Sequence, residues 1–556
     1  MGERAMASRR GKGRFELDRR HFLSAGVAAG AGLAFGGLTL RAAAQDRRLA
    51  TVGGTAKTEY GSVRGLLKDG VQQFWCVPYG APTGGANRFM PPQKPAAWSG
   101  VKDHFEITWA APMDPTGEEP SPVVTALNRK TPQSEDCLTV NVFTPGLDNR
   151  ARPVMVWMHG GGFSAGSGNY LLYDGTNLAK KEDVVVVSVN HRLNIFGYLH
   201  LAGLGGEKWA GATNVGVQDL VAALEWVRDN IESFGGDPDR VTIFGQSGGG
   251  GKTTTLMAMP SARGLFHRSI AQSGYAIRGQ AADDASDGAE RLLAKLGIQK
   301  NQLDRIQQID WREIQTAFYG EPRIARLGLG PVIDGTIIPR HQWDPTAPSY
   351  SANVPFMMGS TENENGWVGP PPYELPDAET LELFRTRLAN NDATDAQNLL
   401  ALYKRRHPET RNRMLWLMAE ADDSRRWSAQ LLCRLKYEQG TAPAYLYFFD
   451  WQSPVHNNRM GSYHTLDIPF VFYNMDSGAS MTGSANERYA LGHIMSAAWA
   501  AFARTGNPNH ADMPNWPAFE PNSLPTMVFG ENVHLANDPN KEERLALAEL
   551  RAKRPS

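Results

Sequence analysis

The sequence predicts an α/β protein: one large, mostly parallel β-sheet flanked by helices, with helical insertions around the functional face. Two observations carry this. Val154-Met155-Val156-Trp157-Met158, Val184-Val185-Val186-Val187-Ser188-Val189 and Val241-Thr242-Ile243-Phe244 are near-unbroken apolar runs rich in β-branched residues, as expected of strands buried on both faces. Between the last two, Leu220, Leu224, Val227 and Ile231 recur at spacings of four, three and four, so they share one face of a helix. Strand followed by helix followed by strand is the pattern of a parallel sheet.

Taken in order, the elements extend this pattern along the chain. The helix carrying Leu220 to Ile231 is expected to stop at Gly235-Gly236. Further strands are expected at Arg268–Gln272, Phe356–Gly359, Ala444–Phe449 and Thr526–Phe529. The Pro- and Gly-rich stretch from Pro112 to Pro132 reads as a long surface loop. The region from about Asp377 to Gln439 reads as a helical insertion near the site. No internal repeat is seen.

Composition narrows the function classes. Of 556 residues, 41% are hydrophobic and 21% charged, which is globular usage rather than disorder. Lys plus Arg number 57 against 58 Asp plus Glu, so neither a basic nucleic-acid binder nor an acidic tail protein is expected. Three cysteines (Cys76, Cys137, Cys433) are too few for a disulfide scaffold, and no CxxC pair offers a zinc site.

Residues 1–44 read as an export signal, which leaves 45–556 as a single domain. Arg4, Arg9, Arg10, Lys12, Arg14, Arg19 and Arg20 precede an uncharged run from Phe22 to Leu40, and Ala42-Ala43-Ala44 suits a signal peptidase. Arg19-Arg20-His21-Phe22-Leu23 resembles the twin-arginine type. The nineteen uncharged residues are nearly long enough to span a bilayer, so an uncleaved anchor is the competing reading. Cleavage would leave 49 basic against 55 acidic residues and no stretch apolar enough for stable membrane insertion. The expected destination is the periplasm or the outside of a bacterial cell.

Three glycine-rich segments suggest different chemistries. Gly245-Gln246-Ser247-Gly248-Gly249 follows the strand Val241–Phe244 and precedes a plausible helix, Lys252–Met259. That is G-x-S-x-G in the strand–turn–helix setting a nucleophilic serine requires, with small neighbours so that chain and substrate can pass close by. Gly251-Lys252-Thr253 looks like the end of a phosphate loop, but the pattern needs glycine at position 246, where Gln246 stands. Gly160-Gly161-Gly162-Phe163-Ser164-Ala165 fits a dinucleotide fingerprint only formally, because Ser164 to Asn169 reads as a loop where a helix should start. His159-Gly160-Gly161-Gly162 is better read as an oxyanion loop, whose glycines let backbone N–H groups face developing negative charge. A nucleophile and a pocket for negative charge together point to a serine hydrolase.

At this point the chain resembles the type-B carboxylesterase family, the cholinesterase-like branch of the α/β-hydrolases, as a bacterial exported member. The matching segments run in order: Cys76 to Pro82 with Arg88 to Pro92, Ser134 to Val142, His159 to Phe163, Asn190 to Gly197, and Asn214 through Asp237-Pro238 into Phe244 to Gly248. The resemblance implies the α/β-hydrolase fold and carboxylic ester hydrolysis. It makes Ser247 the nucleophile, with Gly161, Gly162 and Gly248 as oxyanion donors. Counting from Gly359 through Gly359-Ser360-Thr361-Glu362-Asn363-Glu364 places the triad acid on Glu364. If the segment runs as a strand end, alternation puts Glu362 on the same side, so periodicity does not choose between them, and Glu362 is expected to be an exposed carboxylate. Gly461-Ser462-Tyr463-His464 places the base on His464, and Ser273 matches a serine that supports the acid. Neutral His464 would take the Ser247 proton while Glu364 fixes its tautomer. No cofactor or metal is implied; the partner is a small-molecule ester, and oligomeric state stays open.

There are departures from the family pattern. Gln246 stands where Glu is usual, Gly248 where Ala is usual, and Asn365 where Gly commonly follows the acid. The usual disulfide partner of Cys137 is missing, so Cys137 is expected to be free. His191 and His456 read as structural and loop histidines, and Arg192 and Asp467 as scaffold pins. Trp367 and Tyr463 read equally as gorge lining or core. A non-catalytic, adhesion-type relative would lack a triad residue, and here all three are present.

Overall fold

The computed structural model describes residues 50–114, 131–321, 329–366 and 374–554. The expected export segment, most of the Pro112–Pro132 loop and Trp367 lie outside them.

Thirteen strands form one sheet. Across it the order is Thr51–Lys57, Ser62–Lys68, Val71–Pro78, Thr139–Thr144, Val185–Val189, Arg152–Met158, Gly236–Gln246, Arg268–Gln272, Phe356–Thr361, Ala444–Phe449, Pro525–Phe529 and His534–Asn537, with the short Val101–Asp103 beside Ser62–Lys68. From Val185–Val189 to Pro525–Phe529 every neighbouring pair is parallel. Antiparallel pairs occur only towards the two edges. All seven expected strands are present, most within a residue or two of the expected bounds; Gly236–Gln246 begins five residues before Val241.

The near-continuous apolar runs are buried on both sides, as predicted. Val154, Val156 and Met158 pack into one core with Leu220, Leu224 and Val227 of the helix Val215–Asn230 and with Ile231 directly after it. Met155 and Trp157 point the other way, into a second core with Phe244, Phe472 and Trp499 of the helix Arg488–Thr505. Each buried Val, Leu or Phe contributes about 1.5–3 kcal/mol, so this two-sided packing makes the central strands rigid supports. Gly235 adopts a left-handed conformation after the turn Ile231–Phe234 and sends the chain back into the sheet.

Topology then decides where a site can form. The chain leaves Arg152–Met158 for Val185–Val189 on one side and returns to Gly236–Gln246 on the other. Loops leaving the carboxyl ends of Arg152–Met158 and Gly236–Gln246 therefore flank a switch point, the usual crevice for a ligand in an open α/β sheet. The 377–439 region is helical throughout most of its length, with Asp377–Leu383, Ala393–Arg406, Asn412–Ala421 and Trp427–Gln439 as its α-helices. It builds its own apolar core with the C-terminal helix Lys541–Ala552. Its Arg413 donates to the Gly366 carbonyl at 3.4 Å, so it does pack beside the loop that carries Glu364.

Candidate active site

Four loops at the carboxyl edge of the parallel strands bring the expected residues together. Met158 lies opposite Gly245 in register, so the Gly160–Gly162 loop and Ser247 leave adjacent strands side by side. The helix Gly248–Leu256 begins directly after Ser247, four residues earlier than the sequence suggested. Ser247 has φ +59° and ψ −125°, a strained conformation for a residue with a side chain. It is held by its N–H to the Gln272 carbonyl at 2.8 Å and by its own carbonyl, which accepts from Gly251 N–H at 3.1 Å. A Cβ on Gly249 would run into the Met158 carbonyl, and one on Gly274 into the Ser247 carbonyl, so the turn closes only with glycine at those places.

The Gly160–Gly162 loop sits against the start of this helix. Gly161 and Gly162 have φ of +88° and +62°. The Gly161 carbonyl accepts from Ser164 N–H at 3.3 Å and Ala165 N–H at 3.0 Å, which turns the loop back. Among the described residues no acceptor takes the N–H of Gly161, Gly162 or Gly248. The Gly248 N–H belongs to the first helical turn, where backbone donors have no partner within the helix and attract negative charge. Asn194 braces the loop from outside, donating from Nδ2 to the Ser164 carbonyl at 3.2 Å and to the Pro112 carbonyl at 2.6 Å.

Glu364 and His464 come from the loops after Phe356–Thr361 and Ala444–Phe449. The His464 Nδ1 is hydrogen-bonded to Glu364 Oε2, and Glu364 Oε1 accepts from Thr361 N–H at 3.0 Å. A carboxylate on Nδ1 fixes the proton there and leaves Nε2 as the basic nitrogen. Burial alone would push the Glu364 carboxyl up, but His464, with the Arg425 charge beside it, holds the group below its ordinary range. The Ser273 hydroxyl adds to that lowering, although it finds no hydrogen-bond partner of good geometry among the described residues. Gln246 reaches the same imidazole, its Nε2 lying 3.3 Å from Nδ1 and 3.2 Å from Nε2.

The two loops are tied together by their backbones. Asn363 N–H donates to the Ser462 carbonyl at 2.9 Å, and Ser462 N–H returns to Asn363 Oδ1 at 2.9 Å. Asn365 does not take a positive φ, so the turn after the acid tolerates its side chain. Glu362 and Glu364 do not share a pleated strand, because the strand ends at Thr361. Nor is Glu362 exposed: it is half-buried, accepting from Gln452 Nε2 at 2.7 Å. Burial and the neighbouring Asp450 raise its carboxyl to about 7.

The remaining candidates separate cleanly. His456 is exposed on its loop, while Tyr463 is buried in the core. Arg192 forms a buried bidentate pair with Asp219, with Nε–Oδ2 at 2.9 Å and NH2–Oδ1 at 2.6 Å. Asp467 accepts from Gln272 Nε2 at 2.8 Å and Tyr447 OH at 3.2 Å, and burial raises it to about 6. Cys137 is buried and free. Asn363 and Lys252 were not read as functional from sequence: a lone Asn carries no motif, and Lys252 was weighed only as part of a phosphate loop.

Known proteins resemble this chain over most of its length. Residues 53–548 match the model of the carboxylesterase family. The para-nitrobenzyl esterase of Bacillus subtilis (strain 168) is 34% identical over 500 residues, covering 88% of this chain and 97% of that protein. The phenmedipham hydrolase of Pseudarthrobacter oxydans is 31% identical over 516 residues, covering 89% and 99%. Among solved structures, an esterase from Clostridium hathewayi described as able to hydrolyse aliphatic aromatic polyesters superposes with a TM-score of 0.78 at 32% identity, covering 90% of this chain and all of that one. With a nearly full-length family match, relatives above 30% identity and an α/β-hydrolase sheet, the chain belongs to the carboxylesterase family and is a serine carboxylester hydrolase.

Proposed function

We propose that Ser247, His464 and Glu364 form the catalytic triad and that hydrolysis runs through an acyl-enzyme. The observation that carries this is the buried Glu364 carboxylate on His464 Nδ1, which keeps the proton on Nδ1 and makes Nε2, beside Gln246, the basic nitrogen. In the first half-reaction Nε2 accepts the Ser247 proton as Oγ attacks the ester carbonyl. Negative charge develops on the carbonyl oxygen, where Gly161, Gly162 and Gly248 offer N–H groups; one such donor is typically worth about 3 kcal/mol in the transition state. Collapse expels the alcohol, which takes the proton from Nε2. In the second half-reaction water gives a proton to Nε2 as it attacks the Ser247 ester; the C–Oγ bond then breaks, Oγ takes that proton back from Nε2, and the carboxylic acid leaves.

The substrate class is a small-molecule carboxylic ester. The test is hydrolysis of p-nitrophenyl acetate and covalent labelling by an organophosphonate. Ser247→Ala should lose both while retaining the wild-type circular dichroism; labelling that persists on another serine would overturn the assignment. A panel including a para-nitrobenzyl ester and phenmedipham would then rank acyl and alcohol preference.

We also infer that residues 1–44 direct export by the twin-arginine route and are removed, placing the mature enzyme in the periplasm or outside the cell. The support is the order of Arg19-Arg20, the uncharged run to Leu40 and Ala42-Ala43-Ala44.

A further inference from the structure

Lys252, which the sequence offered only as part of a phosphate loop, is fully buried five residues after Ser247, on the helix that starts directly behind that serine. Its Nζ donates to the His159 carbonyl at 2.8 Å, the only hydrogen bond it makes among the described residues. No carboxylate pairs with it there, and burial pushes the ammonium down to about 7. A buried lysine without a carboxylate partner is costly, so what its one hydrogen bond holds matters.

The surroundings show what it holds. His159 is the residue immediately before Gly160-Gly161-Gly162. Its ring is fixed as well: Nδ1 lies 2.8 Å from the Gly160 carbonyl and must be the donor, since a carbonyl only accepts. The ring stacks on His191 at 5.0 Å between centroids and 20° between planes, and His191 Nδ1 likewise meets the Arg192 carbonyl at 2.8 Å. Both imidazoles thus keep their protons on Nδ1, and both are held neutral, by burial first and by the Lys252 charge second. Lys252 is therefore a single side chain, among the described residues, rooted in the nucleophile helix and bonded to the root of the glycine loop.

We propose that Lys252 is a positioning residue that locks the oxyanion loop to the helix carrying Ser247, so that the Gly161 and Gly162 N–H groups stay in register with the attacking hydroxyl. This rests on the triad reading above. Without the Nζ donor the His159 carbonyl is left buried and unpaired, and the loop loses its tie to the helix at the residue where it begins. The substrate's ground state should notice little, because its carbonyl oxygen is not yet charged; the tetrahedral state should notice most.

The experiment compares Lys252→Met and Lys252→Gln with wild type in the complete enzyme. It measures kcat and KM for p-nitrophenyl acetate, the inhibition constant of a trifluoromethyl ketone that forms a tetrahedral adduct, and thermal stability. In whichever variant keeps the wild-type circular dichroism, kcat/KM should fall about tenfold or more, with KM changing less than about threefold. Affinity for the ketone should fall by the same factor as kcat/KM. A rate within about twofold of wild type would overturn the proposal, as would a lost rate with unchanged ketone affinity. Failure of both variants to fold would also overturn it, making Lys252 a purely structural residue. If wild type neither turns over p-nitrophenyl acetate nor labels with an organophosphonate, the triad reading fails instead.

Discussion

Glu364 meets His464 twice. Its side-chain Oε2 holds the imidazole Nδ1, and its backbone carbonyl accepts the His464 N–H at 3.1 Å. The second bond matters because it fixes the acid relative to the base through the main chain, independently of the rotamer of either side chain.

Glu364→Gln keeps the size and the backbone bond but presents an amide to Nδ1. We expect kcat to fall by several orders of magnitude, since exchanging a triad acid for its amide costs about 10⁴-fold in a related constellation. Glu364 is held below its ordinary 4.5, so its stabilising effect is present above that value and lost as pH falls through the lowered one. Thermal midpoints of wild type and variant should therefore differ at pH 7 and converge as the pH is taken below the lowered value.

Glu362→Gln should leave kcat within about threefold and change stability in the opposite pH sense. The folded state raises this carboxyl to about 7, through burial and then Asp450. The folded protein thus holds the proton more tightly than the unfolded chain, and wild type loses stability as pH rises from about 4.5 towards 7. The variant has no proton to lose and can still accept from Gln452. Its thermal midpoint should gain on wild type above pH 7 and not below pH 4.5; a crippled kcat in this variant would exchange the roles of the two glutamates.

His464→Ala should abolish turnover, and His456→Ala should leave most of it, because His464 is buried against Glu364 while His456 is exposed. Comparing kcat for p-nitrophenyl acetate decides it, and the reverse ranking would break the assignment of the base.

Much of this was legible because apolar periodicity and glycine spacing are local. The runs at Val154, Val184 and Val241 had to be interior strands, and Gly245 to Gly249 had to be a tight turn. The acid was harder. Pleat alternation could not separate Glu362 from Glu364, and the strand in fact ends at Thr361, so a turn pinned by Asn363 makes the choice. Lys252 was illegible for a different reason: its meaning lies in the His159 carbonyl 93 residues away, and a long-range backbone contact leaves no trace in local pattern.

Replacing Arg19 and Arg20 together by Lys should retain full-length precursor in the cytoplasm, if export follows the twin-arginine route. Fractionation and immunoblotting for the uncleaved chain read this directly; unchanged export would favour the general secretory route.

Gly248→Ala restores the residue usual in the family, and by local rules it should help. Gly248 is the first residue of a helix, and Ala is favoured over Gly in a helix by about 1 kcal/mol. The backbone N–H offered to the oxyanion would be unchanged. Here, however, the added Cβ would run into the Gly162 oxygen, Cα and nitrogen. The helix is anchored by Ser247 and the sheet, whereas Gly160–Gly162 is a loop, so the loop should yield. The expected result is a thermal midpoint close to wild type with kcat/KM for p-nitrophenyl acetate reduced about tenfold to a hundredfold, the lower part of what one lost oxyanion donor costs. Gly249→Ala is the contrasting control. Its Cβ would strike the Met158 carbonyl at the end of a central strand, which cannot move aside, so that variant should lose stability as well as rate. An active, wild-type-like Gly248→Ala would mean that Gly162 has room to shift without giving up its place beside Ser247.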